Sequence, residues 1–458
     1  MSFGRVRHLH FVGIGGAGMC GLAELLHGEG LTVSGCDLAA NEATLRLQGL
    51  GIPVALGHDP GHLAQAQVVV VSSAVGGDNA ETRAARERGI PVIRRAEMLG
   101  EISRLRRCLA IAGTHGKTTT TSLTGLILTE AGLDPTVVVG GRVHFLGAHA
   151  RLGRGSHLVC EADEFDRSFL DLHPIVAVIT CVEAEHLDTY GTVEALEDAF
   201  VTFANRVPFY GAVIANLDDP GVRRLLPRLH RRVVTYGFSP QADVHARGVA
   251  LTPEGGSCQV VAGGREVGTL VIRLPGRHMI ANALAALAAA LEVEVDAAAA
   301  LAALATFTGV ARRFERKGER RGVVVVDDYA HHATEVSATL QAARQAFPAA
   351  RLVAVFQPHL FSRTAAFAAQ LGEALLAADA AVVLPIYPAR ESPIPGVTST
   401  LVAEAARRYG HRQVLLADSF DDAIATLDGL LREGDVLLTL GAGDVVHLGE
   451  RWLAEVKP

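Results

Sequence analysis

Short runs of apolar residues alternate along the chain with longer segments whose apolar positions recur at helical spacing. The short runs predict buried strands, and the longer segments predict amphipathic helices. Several of the apolar runs lead directly into a glycine-rich turn and then into a helix, as in HLHFVGIGG and CLAIAGTHG. This order is typical of parallel sheets whose strands are joined by crossover helices. The pattern therefore predicts an α/β fold.

The same pattern divides the chain into three predicted domains. Residues 1–107 repeat strand, turn and helix, which predicts a Rossmann-like parallel sheet. Residues 108–309 predict a P-loop ATPase-type α/β domain with small antiparallel strands between glycine turns. Residues 310–458 predict a third, Rossmann-like α/β domain. A length of 458 residues agrees with about three domains.

The clearest chemical motif is the turn that follows the apolar run LAIA. It consists of Gly113, Thr114, His115, Gly116, Lys117, Thr118 and Thr119. Glycines let backbone N–H groups approach phosphate oxygens, and the start of the next helix adds partial positive charge. Lys117 would reach the β- and γ-phosphates, and the Thr118 hydroxyl would hold Mg²⁺. The full motif has glycine where this chain has Ile111, so the sequence predicts a shortened phosphate loop.

Acidic residues follow the strands predicted after this loop. Glu161 ends one strand, and His186 follows the next in the segment EAEH. A carboxylate at that place would hold Mg²⁺ opposite Thr118, and His186 would bind a second ion. Mg²⁺ is favoured over Zn²⁺ because the neighbouring ligands are mostly oxygens. A histidine without a ligand role remains the alternative for His186.

A second glycine turn lies in the first predicted domain. The pattern G-x-G-x-x-G begins at Gly13, and Asp37 lies at the end of the next strand. A helix N-terminus with exposed backbone N–H groups binds a pyrophosphate, and a carboxylate binds a sugar hydroxyl. The turn and Asp37 are therefore compatible with any nucleotide diphosphate. Ser72 and Ser73 end a further strand, where they would either bind phosphate or simply terminate the strand.

Polar residues also follow the strands of the third predicted domain. His331 follows the first of these strands, Arg363 the second and Arg390 the third. Because the carboxyl ends of parallel strands meet at one edge of a sheet, these residues predict one shared site. The two arginines suit bidentate recognition of a carboxylate or a phosphate.

Composition narrows the classes of function. The formal net charge of −7 argues against general affinity for nucleic acids. No apolar run reaches the roughly 18 residues of a membrane span, and the first residues lack the shape of a signal peptide. We expect a cytoplasmic protein without membrane contact, as a monomer or a homodimer. The six cysteines show no CxxC spacing, and we interpret most of them as small core residues.

Taken together, these motifs resemble the Mur ligase family, which builds the peptide of bacterial cell-wall precursors. The resemblance rests on GTHGKTTTTS and on GIGGAGM, EADEFDRSFL, EAEHLDTY, GVARRFE, DDYAHH, QPHLFSRT, YPARESPIPGVTS and LTLGAGD. These segments cover all three predicted domains. Several are typical of the alanine-adding branch of the family and of its relative, the murein-tripeptide recycling ligase.

The resemblance implies an ATP-dependent ligase that uses Mg²⁺. ATP would activate the lactyl carboxylate of UDP-N-acetylmuramate to an acyl phosphate, which the amino group of L-alanine would then attack. Several relatives place a carbamylated lysine at the Mg²⁺ site, and no lysine is available in that region of this chain. This difference agrees with the alanine-adding branch.

The resemblance also implies roles for individual residues. Asn282 would contact adenine, Arg313 the phosphates and Asp328 the ribose of ATP. The residues implied to hold Mg²⁺ are Thr118, Glu161 and His186, and those implied to act in catalysis are Lys117, Glu161, His186, Arg313 and His331. The residues implied to bind the UDP-sugar are Gly15, Gly16, Ala17, Gly18, Met19, Asp37, Ser72, Ser73 and His186. The amino-acid end would be shaped by His331, Arg363 and Arg390.

The chain departs from the family pattern in three places. Cys181 and Glu185 replace an asparagine and an aspartate, Met279 replaces one asparagine near adenine, and Ala333 replaces a proline. A lost hydrogen bond costs about 1 kcal/mol on average, so we expect weaker binding rather than lost function.

Three other functions remain as alternatives at this stage. They are a murein-tripeptide recycling ligase, an NAD-dependent oxidoreductase built on the first glycine turn, and a nucleotide-binding regulator without chemistry. The sequence also predicts that Lys117→Ala abolishes turnover with little change in melting temperature.

Overall fold

The computed structural model describes residues 3–454 apart from Ser73, Gly77, residues 144–147 and Arg390. The strands are β1 (His8–Val12), β2 (Thr32–Asp37), β3 (Val54–Leu56), β4 (Val68–Val71), β5 (Val92–Arg94), β6 (Arg107–Ala112), β7 (Thr136–Val143), β8 (Ala148–Arg151), β9 (His157–Glu161), β10 (Val176–Ile179), β11 (Ala212–Asn216), β12 (Val233–Gly237), β13 (Val244–Thr252), β14 (Gly255–Ala262), β15 (Arg265–Ile272), β16 (Glu315–Arg320), β17 (Val323–Asp328), β18 (Leu352–Phe356), β19 (Ala380–Val383), β20 (Val414–Leu416) and β21 (Val436–Leu440).

The α-helices are α1 (Ala17–Gly28), α2 (Glu42–Gly49), α3 (Ala80–Glu87), α4 (Arg95–Leu105), α5 (Lys117–Glu130), α6 (Leu187–Tyr190), α7 (Val193–Asn205), α8 (Pro220–Leu225), α9 (Arg277–Leu291), α10 (Ala297–Leu304), α11 (Ala333–Ala346), α12 (Phe361–Ala374), α13 (Thr400–Arg408), α14 (Phe420–Leu430) and α15 (Val446–Ala454). Short 3₁₀ helices lie at Pro60–Leu63, Ser168–Asp171, Leu226–Arg228 and Leu375–Ala377. Within the described ranges, no helix is both long and apolar enough to cross a lipid bilayer.

The strands form three sheets, which confirms the predicted α/β fold. The chain divides into two compact units. The first unit comprises Met1–Gly248, Cys258–Leu270 and Ala281–Phe307, and the second comprises Val249–Ser257, Val271–Ile280 and Thr308–Pro458. Strands β13, β14 and β15 and helix α9 therefore contribute residues to both units.

The first sheet is the five-stranded parallel sheet of the predicted Rossmann-like region. Its strand order is β3-β2-β1-β4-β5, so the direction of winding reverses between β1 and β4. Open α/β sheets bind ligands at the carboxyl ends of the strands beside such a reversal. The glycine turn after β1 and Ser72 after β4 lie at this place, because Ser72 N–H donates to Val12 O.

The second sheet has ten strands in the order β15-β14-β13-β12-β11-β10-β6-β9-β7-β8. Strand β6, which leads into the predicted phosphate loop, lies between β9 and β10 and runs parallel to both. The residues that follow β9 and β10 therefore reach the same edge as the loop. Strands β7 and β8 pair antiparallel at one end of this sheet. The small strands that the sequence predicts between glycine turns are β13, β14 and β15, which are neighbours at the other end.

The third sheet has six strands in the order β16-β17-β21-β18-β19-β20. The antiparallel strand β16 covers one edge, and the other pairs are parallel. Helices α11 and α12 lie over one hydrophobic cluster, and α14 and α15 over another. This two-sided cover explains why the central strands are apolar on both faces.

Helix α5 is buried from Thr118 to Leu128, which is unusual for a segment so rich in hydroxyls. Two of its hydroxyls form hydrogen bonds to the helix backbone. Ser122 Oγ donates to Thr118 O over 2.7 Å, and Thr124 Oγ1 donates to Thr120 O over 2.8 Å. Such back-bonding removes the cost of burying a polar group without a partner. The threonine-rich helix is thus a core element.

Gly100 predicts a measurable packing constraint in the first unit. It is buried in the middle of α4, and a Cβ atom there would lie 2.4 Å from the Asp171 carbonyl oxygen. We expect Gly100→Ala to destabilise the fold by about 1–3 kcal/mol through overpacking, although alanine is the better helix former. The matched control is Gly49→Ala at the exposed end of α2, where a Cβ meets open space, and it should stabilise by about 0.5–1 kcal/mol. Thermal unfolding of both variants tests this, and a stabilising Gly100→Ala would contradict it.

Candidate active site

Two glycines let the predicted phosphate loop pass close to its neighbours. Gly113 has a φ of 135°, and a Cβ there would lie 2.0 Å from Thr180 Oγ1. Gly116 has a φ of 81°, and a Cβ there would lie 2.7 Å from Asn282 Oδ1. Both the left-handed backbone and the lack of space favour glycine. The second contact also brings Asn282 to the loop, 166 positions along the chain from Gly116 by their numbers.

The segment after β10 holds the loop in place. Thr114 N–H donates to Cys181 O over 3.1 Å, and His115 N–H donates to Cys181 Sγ over 3.2 Å. Thr180 Oγ1 lies 2.5 Å from His115 O. Burial raises the pKa of the Cys181 thiol, which is therefore neutral at physiological pH. Cys181, one of the departures from the family pattern, thus supplies a contact to the loop.

Lys117 forms a buried ion pair with Glu164. Its Nζ lies 3.0 and 2.8 Å from the two carboxylate oxygens of Glu164, and it also donates to Gly113 O over 2.7 Å. The side chain of Glu164 is fully buried, and that of Lys117 is 16% exposed. The loop therefore carries an ammonium group that is paired with a buried carboxylate. The sequence places Glu164 in the acidic run EADE at the strand end but assigns it no role.

The pKa values of this pair follow from burial and charge. Burial of Glu164 disfavours its charged form, but the Lys117 ammonium outweighs this and lowers the pKa of the carboxyl. Burial likewise disfavours charge on Lys117, and the Glu164 and Asp163 carboxylates outweigh it and raise the pKa of the ammonium. Each partner therefore favours the charged form of the other.

Oxygen ligands surround the start of α5. Glu161 at the end of β9 contacts the Thr118 hydroxyl, and burial raises the pKa of its carboxyl. Glu161 Oε1 is buried and has no hydrogen-bond partner among the described residues. An unpartnered buried carboxylate oxygen beside a hydroxyl fits a hard divalent cation such as Mg²⁺.

A second group of side chains that could hold a metal ion includes Glu164, the partner of Lys117. One ligand atom each from Glu164, Glu185 and His186 lie within 4.8 Å of one another. His186 Nε2 is 3.6 Å from Glu164 Oε1, and the ring is held edge-on against Phe165. His186 has a positive φ of 54°, which is uncommon for a residue other than glycine. Glu185, another departure from the family pattern, therefore also belongs to this group.

The N-terminal glycine turn borders a pocket of about 580 Å³. Its lining includes Gly13, Gly15, Gly16, Asp37 and Ser72. Asp37 Oδ2 accepts a hydrogen bond of 2.8 Å from Gly15 N–H, so this carboxylate shapes the turn itself.

The other residues predicted for the UDP-sugar lie in different surroundings. Met19 is buried in the core, Gly18 borders a smaller cavity with Arg95, and His186 lies beside Glu164. Arg95 was not predicted, although it opens the helix RAEMLGEISRL. Ser73 and the side chain of Ala17 lie outside the described residues.

The second unit collects a separate set of predicted residues. Arg313 Nη1 lies 3.7 Å from Glu335 Oε1, and its guanidinium stacks over the Tyr329 ring. Asp328 accepts from Phe314 N–H over 2.7 Å and from Ala330 N–H over 2.8 Å. Burial raises the pKa of Asp328 to about 6, against the opposing effect of Arg313.

His331 and Arg363 are connected in that unit by a series of side-chain contacts through His359. The backbone N–H of His331 donates to Glu335 Oε2 over 3.0 Å, and its ring is 5.7 Å from that of His359. Arg363 Nη1 is 3.2 Å from His359 Nδ1, and the His359 ring stacks on Tyr387. Residues that follow β17, β18 and β19 therefore meet at this place. Arg390 lies outside the described residues.

Three family models match the chain in succession. The model described as Mur ligase family, catalytic domain matches residues 8–107, Mur ligase middle domain matches residues 111–290, and Mur ligase, glutamate ligase domain matches residues 312–443.

Curated and solved relatives agree with these matches. The UDP-N-acetylmuramate–L-alanine ligase of Solidesulfovibrio magneticus is 50% identical over 450 residues, which cover 98% of each chain. The solved structure of UDP-N-acetylmuramate–alanine ligase from Thermotoga maritima has a TM-score of 0.80 and 27% identity, over 97% of this chain and 98% of that one. The UDP-N-acetylmuramate:L-alanyl-γ-D-glutamyl-meso-diaminopimelate ligase from Neisseria meningitides has a TM-score of 0.61 and 31% identity, over 67% of this chain and 100% of that one.

The buried pair changes the stability expected of a Lys117 variant. Lys117→Met leaves the Glu164 carboxyl buried without its cation, so we expect a loss of about 3–5 kcal/mol of unfolding free energy near neutral pH. In the native protein the pKa of Glu164 is below the ordinary value of about 4.3. This lowered pKa stabilises the fold at pH values above about 4.3, and the stabilisation is lost as the pH falls through the pKa of the folded state. In the variant the pKa should instead be raised, so stability should fall as the pH rises above about 4.3.

Melting temperatures measured across a range of pH test whether the pH dependence of stability is reversed in Lys117→Met. The control is Lys317→Met, which breaks pairs with Glu450 and Glu315, whose side chains are 45% and 19% exposed, and it should cost about 1 kcal/mol. Parallel pH profiles for native protein and Lys117→Met would contradict the structural account and favour the small effect that the sequence alone predicts.

Proposed function

The chain belongs to the Mur ligase family, and we propose that it joins L-alanine to the lactyl carboxylate of UDP-N-acetylmuramate, with conversion of ATP to ADP and phosphate. The observation that carries this proposal is the position of Lys117 in a glycine loop surrounded by strand-end carboxylates. The end-to-end identity to a ligase named for these two substrates supports the choice of substrates.

We infer that the chain works as three domains, namely residues 1–107, 108–309 and 310–458. The three sheets and the three successive family matches support these bounds. Each domain supplies one group of strand-end residues. The first would take the UDP-sugar, the second ATP, and the third the incoming amino acid and part of the nucleotide.

The phosphate loop binds the triphosphate of ATP in this proposal. The Gly113 and Gly116 turns bring backbone N–H groups toward the phosphates, and the first turn of α5 adds its partial positive charge. When ATP enters, the Lys117 ammonium exchanges the carboxylate of Glu164 for phosphate oxygens. A cation already held at the loop needs little reorganisation to stabilise charge on the transferring group.

Two groups of residues would hold Mg²⁺. Thr118 and Glu161 form the first, and His186 with Glu164 and Glu185 forms the second. When bound, Mg²⁺ would neutralise charge on the phosphates and align the γ-phosphoryl group for in-line transfer. The unpartnered Glu161 Oε1 supports the first group. The release of Glu164 by Lys117 would free a carboxylate for the second.

The reaction then proceeds in two displacements. A lactyl carboxylate oxygen attacks the γ-phosphorus while the bond to ADP breaks, which gives an acyl phosphate. The amino group of L-alanine attacks the acyl carbon, a proton leaves the nitrogen, and phosphate departs. We propose that Asn282 contacts adenine, that Asp328 and Arg313 contact ATP, and that His331, Arg363 and Arg390 bind the amino-acid end.

The UDP-sugar would lie on the pocket that follows β1 and β4. Free backbone N–H groups at the start of α1 would face the pyrophosphate, and Ser72 would add a hydroxyl. Because Asp37 already holds Gly15 N–H, we propose that it fixes the turn as well as facing the ligand.

The alternative functions fit less well. An NAD-dependent oxidoreductase gives no task to Lys117 or to the carboxylates around it. A regulator without chemistry leaves the Glu161 and Glu164 groups unexplained. A tripeptide recycling ligase shares the fold, but the solved ligase named for that tripeptide has a TM-score of 0.61, against 0.80 for the solved ligase named for alanine. The curated ligase named for alanine covers 98% at 50% identity.

The substrate dependence of phosphate release tests the proposed reaction. Release should require ATP, UDP-N-acetylmuramate and L-alanine together, and Lys117→Met should lower kcat by at least about 100-fold. Lys317 lies in the second unit and pairs with the partly exposed Glu450, so Lys317→Met should keep the native rate. Release with L-alanyl-γ-D-glutamyl-meso-diaminopimelate but not with L-alanine would replace the proposal by the recycling reaction. If phosphate were released neither with any amino acid nor with the tripeptide, the proposed reaction would be wrong.

The Mg²⁺ requirement tests the role of Glu161. Glu161→Gln removes a charged oxygen ligand, so the Mg²⁺ concentration for half-maximal rate should rise about 10-fold or more. Glu194→Gln at the exposed start of α7 serves as the control and should leave that concentration unchanged. An unchanged Mg²⁺ dependence in Glu161→Gln would remove this residue from the proposed metal site.

A further inference from the structure

A second cluster of metal-ligating side chains lies on the far face of the first sheet. His10 comes from β1, Cys36 from β2 and Glu81 from the first turn of α3. All three are buried, and one ligand atom from each lies within 4.8 Å of the others. None of these residues has a part in the proposed ligase reaction.

The distances around the Glu81 carboxylate suit a small coordination sphere. Glu81 Oε2 lies 2.8 Å from Cys36 Sγ, 3.7 Å from His10 Nε2 and 3.6 Å from His58 Nδ1. Cys36 Sγ is 3.2 Å from His58 Nδ1. Ligands bound at roughly 2.0–2.3 Å around a tetrahedral ion are separated by about 3.3–3.8 Å, so small shifts would seat these atoms around one ion.

We infer that His10, Cys36 and Glu81, completed by His58, form a site for a divalent transition-metal ion of the zinc class. A thiol and imidazoles select zinc, cobalt or nickel ions rather than Mg²⁺ or Ca²⁺. This site is therefore distinct in chemistry from the oxygen-rich group beside Lys117.

The unpartnered ring nitrogen of His10 supports the proposed metal site. The residue is 1% exposed, and its Nε2 atom has no hydrogen-bond partner within the described part of the chain. A buried ring nitrogen normally finds a partner, because the loss of its water contacts is otherwise uncompensated. Here that nitrogen lies 3.7 Å from Glu81 Oε2, which is longer than a hydrogen bond.

A second layer of contacts orients His10. Its other nitrogen, Nδ1, lies 2.9 Å from Ser34 Oγ, which in turn lies 2.8 Å from His8 Nε2. A metal-bound histidine almost always uses its second nitrogen in such a contact, which fixes the ring and the tautomer. Glu81 is fixed in the same way, since its Oε1 atom lies 2.6 Å from His62 Nδ1 and accepts from Asp59 N–H over 3.1 Å.

Charge also favours a bound cation. The Glu81 side chain is fully buried, and its ion-pair partners among the described residues are the three histidines His10, His58 and His62. Binding would break the Cys36 S–H bond, form an Sγ–metal bond and release the proton to solvent. One dication would then balance the thiolate and the carboxylate.

The site lies beside the proposed nucleotide-sugar pocket. His58 lines that pocket of about 580 Å³, while His10 and His62 line a second recess of about 540 Å³. The recess gives an ion a path to the cluster from solvent. A bound ion would join β1, β2 and α3 and hold His58 in place at the pocket wall.

Cobalt substitution of the full-length protein tests this inference. The protein is stripped with a chelator and titrated with Co²⁺ in excess Mg²⁺, which occupies the oxygen-rich sites. We expect one tightly bound equivalent, a thiolate-to-cobalt charge-transfer band, release of a proton and displacement of Co²⁺ by Zn²⁺. Cys36→Ser should lose the band, His10→Gln should lose the tight equivalent, and Ser34→Ala should weaken binding by about 10- to 100-fold.

Cys258→Ser, which removes another buried thiol of the first unit, is the matched control and should keep both band and affinity. Zn²⁺ should raise the melting temperature of the native protein and of Cys258→Ser but not of His10→Gln, which separates lost binding from lost folding. A native protein without the band, or a band that persists in Cys36→Ser, would overturn the inference. None of these readouts depends on ligase turnover.

Discussion

The buried pair between Lys117 and Glu164 is the interaction on which the central site depends. A loop that presents a cation to phosphates must keep that cation in a place from which water is largely excluded. An unpaired ammonium there would lose its proton, and an unpaired carboxylate would gain one. Because the two groups are 2.8 Å apart, each keeps the other charged. The loop therefore holds its charge before any ligand arrives.

This pair fits a binding site better than a purely structural element. Apolar residues of similar volume often replace a buried ion pair without loss of stability. Here the lysine lies beside two glycines whose left-handed backbone and close contacts leave no room for other side chains. Charge, bare backbone and a helix N-terminus meet at one place. We propose that they serve together to bind phosphate.

The order of the strands decides which residues meet. In the first sheet the chain reverses its winding between β1 and β4, which opens the pocket above the glycine turn. Successive residues of β2 point to opposite faces, so Asp37 holds that turn while Cys36 faces Glu81 across the other face. In the second sheet β6 lies between β9 and β10, and Glu164 and His186 are therefore brought to Lys117.

The sequence by itself determined the elements and the phosphate loop, because both are local. The alternation of apolar runs with helical spacing sets the α/β class, and the spacing of Gly113, Gly116 and Lys117 sets the loop within a few residues. Only the tertiary structure decided that Glu164, 47 residues away, holds the lysine, or that Asn282 packs against Gly116. The same holds for His10, Cys36 and Glu81, which come from three elements. Such contacts depend on strand order and register, and these are set by the packing of the whole core rather than by the neighbours of any one residue.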